Sequence, residues 1–439
     1  MRFFSDDFLP ERYRKIEQFP MFMYLLKWTV ICALVGILAG TGSAWFLMGL
    51  QWATEFRTGN MWIVWLLPIG GLMIGLLYHY LGESVVKGNN QLLEEIVEPK
   101  KVIPLRMAPL VVLTTIATHL FGGSAGREGT AVQMGGSIAD QFTKFLKLDK
   151  HDRKILLIAG IAAGFSSVFG APLAGAVFGL EVYVIGRMRY EALYPSFLAA
   201  IVANQVCHAW HVPHTAYTHP VNLEMTSGHL LYAIIAGVLF GLTGMLFSKA
   251  NHFWSDLFKR KMTYAPLRPF VGGAILALVI WGLSFTVIEQ EKFIGLGVPV
   301  IVEAFGVQMP WYSFLMKLLF TSFTLGCGFK GGEVTPLFFI GATLGSALSG
   351  LIPLPLALLA AMGFVGVFAG ATNTPIACTL MGVELFGVEC GVYLAIACVC
   401  AYLFSGHSSI YSAQVVGSAK HRSNGKDEEK SLASLKNDD

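Results

Sequence analysis

Charged residues are scarce in this sequence. Only 13% of its 439 residues are Asp, Glu, Lys or Arg, while 54% are hydrophobic and the mean hydropathy is +0.60. An ordinary soluble domain carries about 25% charged residues, so a soluble fold of this length could not hide so much apolar surface. The net charge of +3 is also far too small for a surface that tracks phosphates. These shortages exclude a soluble enzyme, a disordered protein and a nucleic-acid binder, and they leave a polytopic membrane protein.

Motifs of disulfides, metal sites and catalysis are scarce too. The seven Cys are odd in number and six lie in apolar runs, so they indicate small buried hydrophobes rather than a disulfide framework. The apolar runs contain no HExxH and no pair of Asp, which argues against an intramembrane enzyme. The five His within 207–229 have no i,i+4 spacing beside an acid, which favours an aqueous loop over a metal site. No metal, cofactor or catalytic residue is predicted.

Long apolar runs divide the chain into two membrane repeats. A spanning helix needs about 20 mostly apolar residues, and the longest run, 334–383, holds fifty residues without a charge. The polar end, 418–439, is rich in Lys, Ser, Asp and Glu and is predicted to be disordered. We expect, in order, an amphipathic cytoplasmic segment at 1–26 that is not a signal peptide, a first membrane repeat at 27–206, a loop at 207–228, a second membrane repeat at 229–412, and a polar cytoplasmic tail at 413–439.

Gly and Pro interrupt the apolar runs in clusters. Examples are FGGSAGREG at 121–129, GCGFKGG at 326–332 and TNTP at 372–375. Irregular backbone at membrane depth is tolerated only where protein or a watery cavity satisfies it, so these clusters predict broken helices. Other glycines recur in the small-xxx-small spacing that lets helices pack closely, at 36/40, 71/75, 160/164, 237/241 and 341/345.

An internal repeat relates the two halves. GREGT at 126–130 is followed by AAGFSSVFGAPLAGAVFGLEV, and GGEVT at 331–335 is followed by GFVGVFAGATNTPIACTLMGVEL. In each half a Pro precedes a Glu by nine residues, Pro172 before Glu181 and Pro375 before Glu384. Repeats with broken helices in matching places indicate a transporter whose substrate site lies at the repeat interface.

Three Gly-rich turns precede apolar stretches and predict helix N-termini that meet at one site. A helix N-terminus offers free N–H groups and a partial positive charge. Three such ends in a low-dielectric interior would bind a small anion without a fixed buried cation. The predicted anion-site residues on these turns are Gly88, Asn89 and Asn90; Gly126, Arg127, Gly129 and Thr130; and Gly332, Val334 and Thr335.

Glu128 and Glu333 are the predicted gating and proton-coupling residues. The carboxylate of Glu128 is itself an anion, so it could occupy the anion site, or take up a proton and leave it. Ionisable groups inside membrane segments are functional by default, and the alternative is a Glu that only complements a helix dipole. Glu333 could handle protons or tune the anion in the same way, or it could simply accept hydrogen bonds from neighbouring N–H groups.

Three further side chains could donate hydrogen bonds to the anion, and each has a structural alternative. Thr335 could be a helix-capping hydroxyl, and Asn89 could be a turn former. Tyr411, in GHSSIYSA, could belong to the interfacial aromatic belt. On residue type and position alone, the belt is the favoured interpretation of Tyr411.

Taken together, these motifs resemble the CLC family of chloride channels and chloride/proton antiporters. GREGT at 126–130 resembles the family's G-[KR]-E-G-P element, GFKGGEVTPLFFIGATLG at 328–345 resembles its second anion-binding helix start, and Tyr411 resembles its anion-coordinating tyrosine. The resemblance implies an all-α polytopic membrane protein, built as a CLC-type inverted repeat of broken helices. It also implies a homodimer in the lipid bilayer with one pathway per subunit.

Departures from the family pattern narrow the branch. The usual Gly-Ser-Gly-Ile-Pro loop is Gly-Asn-Asn-Gln-Leu at 88–92, and the Pro of the gate element is Thr130. Glu333 stands where chloride-selective members have an apolar residue, and Val182 stands where exchangers have an inner proton-transfer Glu. Together they resemble the fluoride/proton antiporter branch, whose bacterial members export fluoride across the inner membrane. The alternative is a chloride/proton antiporter or chloride channel of the same family.

A valine at position 182 leaves the proton in need of another inner route. We expect a protonated Glu128 to swing through the pathway and meet the inner solution directly, with Glu333 stabilising an intermediate. The inward proton gradient would then drive fluoride out, since each charge moved through 100 mV is worth about 2.3 kcal/mol. A cation transporter that pairs the two carboxylates is disfavoured, because helix N-termini aimed at the site repel cations.

Overall fold

The computed structural model describes residues 18–218, 220 and 223–438, so most of the amphipathic segment expected at 1–26 lies outside the described residues. Two strands of two residues, β1 (Val184–Ile185) and β2 (Val415–Val416), accompany the helices. The α-helices are α1 (Gln18–Gly59), α2 (Leu67–Tyr80), α3 (Asn89–Val97), α4 (Met107–Leu120), α5 (Glu128–Leu146), α6 (Lys150–Phe169), α7 (Pro172–Glu181), α8 (Leu193–Ala209), α9 (Ser227–Lys261), α10 (Leu267–Leu283), α11 (Val298–Glu303), α12 (Tyr312–Gly326), α13 (Val334–Leu348), α14 (Leu356–Thr372), α15 (Pro375–Phe386), α16 (Gly391–Phe404) and α17 (Leu432–Asp438).

The apolar helices fall into two length classes. Within the described residues, three helical segments are long and apolar enough to cross a membrane: Gln18–Gly59, Met61–Tyr80 and Ser227–Lys261. Shorter apolar helices have 10 to 17 residues, such as Pro172–Glu181 and Leu356–Thr372. At 1.5 Å per residue a ten-residue helix covers about 15 Å, half of a hydrocarbon core of about 30 Å. These short helices are the broken helices that the Gly and Pro clusters predict.

The two repeats place their helices in the same order. In the first, α5 starts after the break at 121–127, α6 packs against α5, and α7 starts at Pro172. In the second, α13 starts after the break at 326–333, α14 packs against α13, and α15 starts at Pro375. Proline suits the first turn because its missing N–H would have no partner there. The repeat seen in the sequence is therefore also a repeat of helices.

A pair of carboxylates ties the repeats together. Glu181, at the end of α7, accepts hydrogen bonds from two N–H groups in the first turn of α15, at 3.2 and 2.9 Å. Glu384, in α15, accepts hydrogen bonds from two N–H groups in the first turn of α7, at 2.9 and 2.8 Å. Each carboxylate satisfies orphan donors and meets the positive end of a helix dipole in the other repeat. This explains why each half needs a Glu nine residues after its Pro.

The glycines in small-xxx-small spacing lie where helices touch, which confirms that prediction. A Cβ added to Gly341 would lie 2.0 Å from the carbonyl oxygen of Gly363, and one added to Gly164 would lie 2.2 Å from that of Ala131. At each of the other predicted glycines, a Cβ would come within 2.8 Å of a neighbouring segment. Close backbone contact of this kind is what packs helices together where lipid supplies no hydrophobic drive.

Gly341→Ala is expected to destabilise the protein by about 3 kcal/mol or more, because the added methyl meets backbone that cannot give way. Gly282→Ala is the matched control, since Gly282 also lies in a helix and an added Cβ has nothing within 4 Å. Thermal unfolding of the two purified variants in detergent checks the difference. A Gly341→Ala protein as stable as the control would contradict the packing described for α13 and α14.

The polar tail folds back onto the helices, so the prediction of disorder for 418–439 is wrong wherever that segment is described. β2 pairs in parallel with β1, and Val416 and Leu432 are buried together against Ile185. Lys420 donates a hydrogen bond to the carbonyl of Tyr402 in the last turn of α16, at 2.5 Å. A few apolar side chains, and a cation at the negative end of a helix dipole, order a segment whose composition is polar.

Cysteine and histidine side chains serve packing. All seven Cys are free thiols and six are buried, which confirms their interpretation as small hydrophobes. Across the part of the chain that the structure describes, no group of three His, Cys, Asp or Glu is arranged to hold a metal ion. His214, from the loop after α8, packs over Gly170, and its Nε2 donates to the carbonyl of Ser167 at 3.0 Å.

Candidate functional site

Three helices begin at Gly-rich turns without a side chain to cap them. α3 begins at Asn89, α5 at Glu128 and α13 at Val334, and the residue before each makes no side-chain capping hydrogen bond. Orphan N–H groups and the positive end of a dipole are therefore available at each start. Gly88, before α3, has a φ of +57°, which side chains with a Cβ rarely adopt.

Main-chain hydrogen bonds between the repeats join two of these starts. Gly126 N–H donates to the Gly332 carbonyl at 2.6 Å, and Gly332 N–H donates to the Gly126 carbonyl at 2.8 Å. A Cβ on Gly126 would lie 2.8 Å from Pro336 and 3.0 Å from the backbone nitrogen of Thr335. Glycine is needed for this close approach. The repeat interface is thus the place where α5 and α13 begin.

Asn89 brings the third start to the same place. A Cβ on Gly129, in the first turn of α5, would lie 3.1 Å from Asn89 Nδ2 and 3.6 Å from Glu333 Oε2. The same point would lie 3.1 Å from Gly332 Cα. The first turns of α3, α5 and α13 therefore converge around Gly129, with an amide and a carboxylate among them.

The carboxylate of Glu128 reaches across the repeat interface to α13. Thr335 N–H donates to Oε2 at 3.0 Å, and the Thr335 hydroxyl lies 2.6 Å from Oε2 and 2.8 Å from Oε1. Arg127 adds longer contacts, from its backbone N–H at 3.3 Å and from Nε at 3.4 Å. The Glu128 side chain is fully buried. A negative group is thus bound by a helix N-terminus and a hydroxyl, the donors that suit a small anion.

Glu333 is the residue just before α13, and its carboxylate is left incomplete. Its backbone carbonyl accepts the N–H of Leu337 at 3.1 Å, as a helix start requires. Its Oε2 and the Oδ1 of Asn89 are both buried, and neither has a hydrogen-bond partner among the described residues. Buried acceptors without a donor are costly. Of the two groups only the carboxylate of Glu333 can take up a proton and become a donor.

A polar cavity of about 240 Å³ opens beside these groups, and Asn89, Glu333 and Tyr411 all line it. We call it the vestibule. Tyr411 is only 3% exposed, so it does not lie in the lipid-facing aromatic belt, and the belt interpretation is wrong. The position of Tyr411 in the wall of the vestibule leaves its phenol as a candidate donor to an anion there.

Three other predicted anion-site residues have contacts of their own. Thr130 Oγ1 shares a hydrogen bond with Thr115 Oγ1 at 2.8 Å, which engages its hydroxyl between α4 and α5. Asn90 Oδ1 accepts the N–H of Ala413 at 3.0 Å and fixes α3 against the segment after α16. Val334 is 1% exposed and is the first residue of α13. Its contribution to the site is therefore its backbone at the helix N-terminus.

Two buried basic residues, Arg57 and Lys317, support the backbone around the break at 121–127. Neither was predicted from the sequence to take part in the site. Arg57 donates to the carbonyl of His119 at 2.5 Å. Lys317 donates to the carbonyl of Gly295 at 2.7 Å, and the N–H of Gly295 donates into the break at 3.1 Å. For Lys317 the available signal was an isolated cation in an apolar run, because such residues are rare unless they have a task. Arg57 stands two residues after Glu55 and gave no such signal.

Val182 is buried in the apolar core. Its side chain is 2% exposed, and its carbonyl accepts a hydrogen bond from Gln414 Nε2 at 2.6 Å. Gln414 also donates to the carbonyl of Thr372 at 2.7 Å. The neighbouring Glu181 is committed to the N-terminus of α15. Within the described residues, this position therefore offers no free carboxylate for proton transfer.

Known sequences match this chain over most of its length. The sequence profile described as voltage gated chloride channel matches residues 70–406. A chloride/fluoride channel protein of Pseudomonas syringae pv. tomato is 52% identical over 411 residues, which cover 93% of this chain and 91% of the relative. An H+/Cl− exchange transporter of Vibrio vulnificus is 26% identical over 382 residues, or 81% of each chain.

Solved structures match the fold closely. The crystal structure of a CLC-type fluoride/proton antiporter has a TM-score of 0.85 and 35% identity, and the match covers 89% of this chain and 98% of that one. The X-ray structure of a slow cyanobacterial Cl−/H+ antiporter has a TM-score of 0.72 and 21% identity, and the match covers 86% of this chain and 94% of that one. The predicted all-α, CLC-type inverted-repeat fold is thereby confirmed.

Proposed function

Because this chain belongs to the voltage-gated chloride channel (CLC) family, we propose that it is an anion/proton antiporter that exports cytoplasmic fluoride as protons enter. Members of this family are ion channels and transporters rather than enzymes. The observation that carries the proposal is the buried carboxylate of Glu128, bound by the N–H and hydroxyl of Thr335 at the start of α13. A group that fills an anion site while ionised has to leave when an anion enters, and a proton allows it to leave. Anion and proton movements then depend on one side chain.

Fluoride is the substrate that the donors favour. It is small and strongly hydrated, so a site that strips its water must offer strong donors in return. The N–H and hydroxyl of Thr335 and the amide of Asn89 are such donors. The relative from Pseudomonas syringae and the solved antiporter at 35% identity both carry fluoride in their names, which supports the same substrate.

The proton route runs through Glu128 and Glu333. Val182 carries no proton, and Glu181 is held by α15. A protonated Glu128 can exchange its bonds to Thr335 for contact with the vestibule. Glu333, whose Oε2 lacks a partner among the described residues and which lines that vestibule, stabilises the intermediate and passes the proton to water.

We infer that the protein lies in the bacterial inner membrane with its basic segments in the cytoplasm. Five Lys and Arg side chains lie within 144–154, and α9 ends in Lys259, Arg260 and Lys261. The positive-inside rule assigns such segments to the cytoplasm. The vestibule, whose wall contains Lys259, is then the cytoplasmic entrance to the site.

A homodimer with one pathway per subunit completes the proposal. α7, α8, α15 and α16 pack side by side and present apolar side chains outward. This surface suits a second copy of the chain in lipid. Its exposed large apolar residues include Leu173, Leu193, Ile201, Ile376, Val392 and Val399.

A chloride/proton antiporter or chloride channel is the second candidate. The Vibrio vulnificus relative is named for chloride exchange, and the Pseudomonas syringae relative is named as a channel for both anions. Asn89 and Glu333 favour fluoride over chloride. The carboxylate of Glu333 repels either anion. Strong donors such as the amide of Asn89 offset this repulsion better for fluoride, because fluoride is the smaller anion.

Purified protein in liposomes tests the proposed function. Fluoride efflux should exceed chloride efflux by at least about tenfold, a difference of about 1.4 kcal/mol, and should be accompanied by proton uptake. Equal chloride flux would return the protein to the chloride branch and make Asn89 and Glu333 structural variations. Fluoride flux without proton movement would make it a channel, with Glu128 as a gate only.

A further inference from the structure

Lys330 has no part in the mechanism above, although it lies in the second glycine break three residues before Glu333. Its side chain is partly buried, and its Nζ lies 4.2 Å from the ring centroid of Tyr78. Within the described residues this ammonium makes no hydrogen bond and no ion pair. An ammonium that contacts an aromatic face but no carboxylate lacks the direct ion pair that normally offsets the desolvation of a partly buried charge.

The other cations of the vestibule are situated differently. Lys87 is bound to Glu94, at 2.7 and 2.8 Å, on the exposed side. Lys259 is largely exposed and lies 4.0 Å from Asp256. Lys330 lines both the vestibule and an adjoining cavity of about 510 Å³. Among these three lysines, Lys330 is therefore the partly buried one, and it forms no ion pair with a described residue.

Glu333 is the carboxylate in the vestibule wall, and it lies within electrostatic range of Lys330 without contacting it. The two side chains form no ion pair, and Glu333 Oε2 is without a hydrogen-bond partner among the described residues. Because no hydrogen bond or ion pair fixes the ammonium to this carboxylate, its donors remain available to a mobile ion between the cytoplasm and the helix N-termini.

We propose that Lys330 is a recruiting site that binds a small inorganic anion transiently in the vestibule before the anion moves to Asn89 and Thr335. This inference rests on the proposed function, because it takes the vestibule as the cytoplasmic entrance. A cleft with low-dielectric walls focuses the field of a charge and raises the local concentration of counter-ions. An ammonium is a compact point charge with freely turning donors, so it attracts an anion without selecting its shape. Recruitment therefore adds to occupancy and leaves selectivity to the helix starts.

Inverted bacterial membrane vesicles test the site, because they expose the cytoplasmic mouth outward and acidify their lumen by respiration. Fluoride uptake is measured with an electrode over a range of fluoride concentrations. Lys330→Gln should raise the half-saturating fluoride concentration by about fivefold or more, with the maximal rate within about twofold of wild type, because only capture is weakened. Lys330→Arg should restore the wild-type value. Added inert salt should raise the half-saturating concentration of the wild type and leave that of Lys330→Gln unchanged.

Lys87→Gln is the matched control, since it removes one vestibule lysine that is already paired with Glu94. The control should leave the half-saturating concentration unchanged. An unchanged value in Lys330→Gln, or an equal shift in Lys87→Gln, overturns the inference. So does a Lys330→Gln protein whose number of protons per fluoride changes while its half-saturating concentration does not, because the lysine would then act on Glu333.

The failure of the proposed function has a separate signature. A wild type that moves chloride and not fluoride overturns fluoride export, and the same comparison made with chloride still decides the role of Lys330. Should Lys330→Gln fail to reach the membrane, Lys330→Met, which keeps an unbranched apolar side chain one atom shorter than that of lysine, replaces it in the same comparison.

Discussion

Glu128→Gln is expected to abolish proton transport and to stop the coupled export of fluoride. The amide keeps the size of the side chain, and its carbonyl can still accept the hydrogen bond of Thr335 N–H, now 3.0 Å from Oε2. It cannot take up a proton in the physiological range. Loss of a positioned proton-transfer group costs about 100-fold or more. Proton flux, followed by external pH in a liposome suspension, should fall to the level of protein-free liposomes.

Glu55→Gln is the matched control for this variant. Glu55 is exposed on α1, and its Oε1 accepts a hydrogen bond from Gln51 Nε2 at 2.9 Å. It should transport protons and fluoride at the wild-type rate. Wild-type proton coupling in Glu128→Gln would remove the carboxylate of α5 from the mechanism, whatever its place in the anion site.

Glu333→Gln should slow turnover by about tenfold or more and weaken coupling, because the intermediate then loses the group that takes the proton from Glu128. Glu333→Ala should have a larger effect. It also opens space beside Gly129 and Asn89, and so alters the preference for fluoride over chloride. Fluoride and chloride efflux, recorded with external pH for both variants, gives the rate, the ratio of the two anions and the number of protons per anion.

A combination of results separates the two carboxylates. If Glu128→Gln and both Glu333 variants all retain wild-type coupling, the swinging-carboxylate route is wrong. If Glu333→Gln is normal while Glu333→Ala loses selectivity, Glu333 fills space beside the anion and takes no proton. Proton transfer through Glu333 requires that Glu333→Gln already be slow.

The starts of the helices could be predicted from the sequence because their causes are local. Gly88 has a positive φ, and Gly126 lets the backbone of the second repeat come close. Pro172 and Pro375 are each the first residue of a helix, a position that suits proline. The internal repeat then showed which helix starts of the two halves correspond to each other. From these rules alone the chain could be divided into broken helices that present three N-termini to one site.

The contacts of the site could not be predicted, because they join residues far apart in the chain. Glu128 and Thr335 are 207 positions apart. No pattern along the sequence predicts that the hydroxyl of Thr335 binds the carboxylate of Glu128. Residue type and position alone favour the aromatic belt for Tyr411, because interfacial tyrosines are common, and only the family resemblance names it as an anion ligand. Tyr411 is buried in a segment that is anchored to α3 two residues further on, where Asn90 Oδ1 accepts the N–H of Ala413.

The tail failed as a prediction for a related reason. Polar composition argues for disorder when a segment is considered by itself. Here the membrane region already presents a partner, since β1 follows α7 with a free edge and α16 ends in carbonyls that accept hydrogen bonds from Lys420. The order of such a segment is a property of the surface that it meets.

Uphill transport is the most direct test of proton-coupled fluoride export. Liposomes that contain the protein receive equal fluoride on both sides and a proton gradient with the acid outside, and potassium with valinomycin holds the membrane potential at zero. The account predicts that fluoride leaves the liposomes against its own growing gradient, and that it stays at equilibrium in Glu128→Gln and protein-free liposomes. Fluoride that remains at equilibrium in the wild type, while it flows readily down an imposed fluoride gradient, would contradict the account and identify a fluoride channel.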